Sequence, residues 1–241
     1  HDEIGKNENK MGYKFKPMFT EISLDNFIPD VLHQFLRIFD KLVTLLILEI
    51  FRADKFKPNS TFDPTKHKQL DALGQFCIQY LKMDLINNGE TESTIKNSTF
   101  KNLMGPKKRL FLEKITSPTR NLETIFGKAI FNMTNNRTTS TVHQLWLDYY
   151  KIDKTLHSEK KVSSKSFNDS VTKWLKDFKQ IFGEQEITPY IHMFGVHLPF
   201  FYDRFVNLNY FSAQGLEKLN DMSTFQYFKS TNKKRIILSK F

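Results

Sequence analysis

Val31, Leu32, Phe35, Leu36, Ile38, Phe39, Leu42 and Val43 recur at three- and four-residue spacing, the period of one helix face. From Leu42 to Phe51 the same helix becomes apolar nearly all round. A helix of that kind needs neighbours on every side, so other elements must wrap around it. Thr44 and Glu49 interrupt the apolar run, which is too short to span a bilayer. It reads as the buried centre of a helical protein. A chain of 241 residues has material for one sizeable core, or a core with a satellite, and not for several domains.

The rest of the chain supplies partners of the same type. Asp25 or Asn26 is expected to cap the first helix, with Pro29 in its first turn, and Pro58 closes the segment. Asp63-Pro64 is expected to open a second helix carrying Leu70, Leu73, Phe76, Cys77, Tyr80, Leu81 and Leu85, ended by Asn87-Asn88-Gly89. A third runs from about residue 97 across Gly105-Pro106 to Ile115, and Ser117-Pro118 starts a fourth reaching Ile130. Residues 132–140 are polar loop; Val142 to Leu156 and Phe167 to Phe182 are amphipathic helices. Thr188-Pro189 joins an N-cap to a proline at the first helical position, and Ser212 is expected to cap a last helix to about Lys229. No stretch alternates as a strand does, no glycine-rich phosphate loop is present and no repeat recurs at fixed period. The fold class expected is mainly α, a multi-helix array.

Charge and cysteine usage narrow the function classes. The formal net charge is +10, with basic clusters at Lys107-Lys108-Arg109, Lys160-Lys161 and Lys233-Lys234-Arg235. Such a balance fits phosphate backbones held through counterion release, and equally a solvated lysine-rich surface. The lone Cys77 excludes an internal disulfide and any zinc site needing two cysteines of this chain; within its apolar stripe it reads as a small buried hydrophobe. No N-terminal stretch has the order of a signal peptide, so the Asn-x-Ser/Thr acceptor patterns at Asn59, Asn97, Asn132, Asn136 and Asn168 read as chance in an Asn-rich chain. The chain opens on His1 and is expected to be a piece of something longer. Trp146, Tyr149 and Tyr150 could stack on bases, but their spacing with Leu145 and Ile152 is that of a core face.

The C-terminal fifth carries the chemistry. His192 and His197 have a spacing compatible with zinc when two cysteines complete a tetrahedron. On an ideal α-helix a five-residue step turns about 500°, leaving the rings roughly 140° apart. Gly195 or Pro199 would have to distort the helix for the rings to meet. The alternative is that one histidine packs in the core and the other faces solvent. Downstream, Glu217 sits in the second turn of the expected last helix. It either stabilises the helix N-terminus or ligates a metal, and one carboxylate alone does not make a two-magnesium site.

His192-x-x-x-x-His197-Leu-Pro, then Ser212-x-x-Gly215-x-Glu217-x-x-Asn220, then Phe228-x-x-x-Asn232 resembles the C-terminal end of Transib-type DDE transposases, the family that includes the catalytic subunit of the V(D)J recombinase. Asp30-Val31-Leu32-His33 is similar to the Asp-x-Leu-His that, in this family, opens a long helical insertion inside an RNase H-like domain. The resemblance implies a polar connector over 1–24, an insertion-like helical domain over 25–185, and C-terminal helices of a truncated RNase H-like domain over 186–241. It implies that Glu217 is the third acid of the DDE triad and a magnesium ligand. His192 and His197 would be half of a Cys2His2 zinc site. The other two catalytic aspartates and the cysteine pair lie upstream in the family, so Asp30 is not one of them. The implied chemistry is magnesium-assisted attack of water, then of a DNA 3′-hydroxyl, on a phosphodiester. The implied partners are DNA and a second copy of the protein, in the nucleus and without a membrane. Lys218, Lys229, Lys233, Lys234 and Arg235 are the candidate phosphate contacts. This chain alone is expected to be inactive. The competing reading is a non-catalytic helical DNA-binding or protein-interaction module derived from such an element.

Overall fold

The computed structural model describes residues 28–57, 60–86, 90–91, 95, 103, 105–119, 122–127, 138–158, 162–205, 207–211 and 214–230. Within them the chain is mainly helical, and the only β pairing among the described residues is an isolated antiparallel bridge between Thr61 and Thr91. The helices are α1 (Val31–Ala53), α2 (Lys68–Phe76), α3 (Gly105–Ile115), α4 (Leu122–Phe126), α5 (Thr139–Leu156), α6 (Ser164–Phe182), α7 (Pro189–His192), α8 (Leu198–Arg204) and α9 (Gln214–Ser230). Two π-helical turns interrupt them: Cys77–Leu81 continues α2, and Met193–His197 joins α7 to α8.

α1 is the axis the sequence requires. Phe35, Ile38, Phe39, Leu42, Leu46 and Ile50 are all 2 % exposed or less. α2, α3 and α7 all pack on it. α5 and α6 form an antiparallel pair: Trp174 Nε1 donates to the Leu145 carbonyl at 3.0 Å, and Lys173 reaches Asp148 at 2.8 Å. Aromatic rings join these layers. Phe39 meets Phe111 of α3 edge-on at 5.5 Å, Tyr149 lies 5.5 Å from Trp174, and Trp174 meets Phe194 at 5.1 Å. Trp146 and Tyr149 are thus core side chains, each 1 % exposed, and neither presents a ring for stacking on a base. Cys77 is fully buried, and burial pushes its thiol up to about 12. Ile191, Phe194, Leu198 and Phe201 belong to the same continuous core as α1 to α6.

Two helix starts are set by side-chain caps other than those expected. α1 begins at Val31 with Asp30 as its cap, whose carboxylate accepts from the Leu32 amide at 2.9 Å. Pro29 therefore precedes the helix; the expected caps Asp25 and Asn26 lie outside the described residues. Asp63 does not open α2. Its carboxylate closes a local turn onto the Thr65 amide and hydroxyl, at 2.9 and 2.7 Å. Asp54 caps α2 from the end of α1, accepting from the amides of Gln69 (3.0 Å) and Leu70 (2.8 Å). This helical segment also ends early, at Leu81, where Lys82 turns left-handed with φ 54° and ψ 44°. The third helix begins at Gly105, and α4 ends at Phe126 before Gly127, whose φ is 74°. The starts at Thr188-Pro189 and the ends at Leu156 and Phe182 stand where the sequence puts them.

Candidate functional site

The turn between α7 and α8 solves the histidine-spacing problem. The Thr188 hydroxyl accepts from the Ile191 amide, and Pro189 occupies the first turn of α7. After His192 the backbone winds as a π-helix, with the Leu198 amide donating to the Met193 carbonyl, five residues back. An i→i+5 turn brings residues five apart onto one face, where an α-helix would separate them. The rings of His192 and His197 accordingly stand 5.2 Å apart between centroids, at 68° to each other. Both are exposed, so the alternative with one of them in the core does not hold.

The inner face of the same turn explains why it winds this way. Phe194 is 2 % exposed and packs against Trp174 and Tyr149. Gly195 lies flush on α6: a Cβ there would fall 2.5 Å from Leu175 Cδ2. A wider turn anchored by an aromatic ring and a glycine inside presents two imidazoles outside. The exposed side chains of Val196 and Phe200 continue the outer face, with the Arg204 guanidinium 5.9 Å from the Phe200 ring.

A zinc site would need more than this face provides. Two imidazoles are suitable zinc ligands, and structural zinc takes four. No group of three or more His, Cys, Asp or Glu side chains able to hold a metal occurs among the described residues. Cys77 cannot contribute, since it is buried and its thiol resists ionisation. The described residues therefore supply two neighbouring imidazoles and no complete metal site.

The remaining candidates are placed as follows. Glu217 lies on α9, one turn from its start, and its side chain is outside the described set. Lys218 and Lys229 are exposed on the same helix, the latter with its ammonium 5.9 Å from the Phe225 ring. Lys233, Lys234 and Arg235 lie outside the described residues. The Asp-x-Leu-His at the start of α1 is a capping device: Asp30 caps the helix and its second oxygen lies 2.5 Å from His33 Nδ1.

The basic cluster at Lys107-Lys108-Arg109 is engaged inside the fold. Lys107 donates to the Leu81 carbonyl, at the end of the first π-turn. Lys108 is 5 % exposed and pairs with Asp40 at 2.5 Å. Arg109 lies 4.9 Å from the Phe35 ring and donates to His157 Nε2 at 2.8 Å. The other ring nitrogen of His157, Nδ1, lies 2.8 Å from the Asp153 carbonyl. Burial raises the Asp153 carboxyl above its usual range, against the pull of His157 and Arg109. These three cations brace α3 against its neighbours, a role that charge counting on the sequence does not reveal.

No helix among the described residues is long and apolar enough to cross a membrane. No family model, no curated protein and no solved structure matches the chain.

Proposed function

We propose that the chain is the C-terminal part of a DDE-type, RNase H-like DNA transposase or recombinase that acts on DNA in the nucleus. The observation that carries this reading is the paired imidazoles of His192 and His197 on the π-helical turn. Their five-residue spacing would separate them on an α-helix, and the turn brings the two rings onto one face. In the intact protein His192 and His197 hold one side of a structural zinc ion, with two cysteines from the upstream half. Glu217, on the next long helix, is one carboxylate ligand of the catalytic magnesium ions. When bound, magnesium activates an attacking water or 3′-hydroxyl and stabilises charge on the phosphodiester. Lys218 and Lys229 contact DNA phosphates. The chain alone lacks the other two acids and does not cut DNA.

The test is strand cleavage by the full-length gene product. Glu217→Gln is expected to abolish magnesium-dependent cleavage while DNA binding, measured at the same salt concentration, persists. Full cleavage by the Glu217→Gln protein would overturn the reading. A second reading, a non-catalytic DNA-binding or interaction module, is favoured by one feature: Leu219, Met222 and Phe225 form an exposed apolar stripe on α9. In that case the wild-type full-length product binds DNA or protein without cutting.

A further inference from the structure

We draw no further inference here: the strongest candidate, the exposed apolar stripe of Leu219, Met222 and Phe225 along α9, is an unpartnered helix face, and nothing in the structure shows what covers it.

Discussion

Gly195 is the close-approach point of the histidine-bearing turn. A Cβ there would meet the Leu175 side chain at 2.5 Å, so either Leu175 or the turn must shift to admit one. Gly195→Ala is therefore expected to cost about 1–3 kcal/mol, the range of an overpacked core position. The denaturant midpoint should fall with an unchanged slope, and a wild-type midpoint would contradict the close approach. His143 gives a second residue-scale expectation. Burial holds its pKa below 6.5, partly offset by Glu123, and its Nδ1 is buried with no hydrogen-bond partner. The unfolded chain thus takes up a proton at this residue before the folded one does. Stability is lost as pH falls from about 6.5 through the lowered folded value. Denaturation midpoints at pH 7.5 and 5.5 should differ more in the wild type than in His143→Gln, and an equal difference would remove this residue as a cause. At this scale the sequence was legible in part. The five-residue histidine step, with Gly195 between and Pro199 beyond, left two readings: a distorted helix with the rings together, or an ordinary one with a histidine on each side. It did not say whether the deviation would be taken, because that depends on Leu175 and Trp174 of another helix.

Helix identity was easier to read than helix ends. The three- and four-residue apolar spacing in α1, α5 and α6 reflects burial on one face, a property carried by each segment itself. Caps are different when the capping group is remote in sequence. α2 starts at Lys68 because Asp54, at the end of α1, reaches its free amides, while Asp63 satisfies its own turn. Asp54→Ala is expected to destabilise the protein by about 0.5–2 kcal/mol. Asp54→Asn keeps the acceptor oxygen and should recover most of that loss in thermal or chemical unfolding. Equal losses for the two variants would show that the cap is not the reason. The same remoteness hid the roles of Lys107, Lys108 and Arg109. Their charges were visible, but their partners Leu81, Asp40 and His157 lie 26 to 68 residues away.

For the whole molecule, the all-round apolar helix already required a helical array wrapped about an axis, and α1 is that axis. The core extends from α1 through α8 without a break, and the histidine-bearing turn is seated on it. One face of that turn is buried against Trp174 and Tyr149, and the other exposes the His192 and His197 imidazoles. The proposal is that the upstream half of a transposase covers this face. Sequencing the transcript upstream of the His1 codon tests it most directly. An open reading frame encoding a cysteine pair and two aspartates in strand contexts is expected. An initiating Met immediately before His1, with none of these, would contradict it.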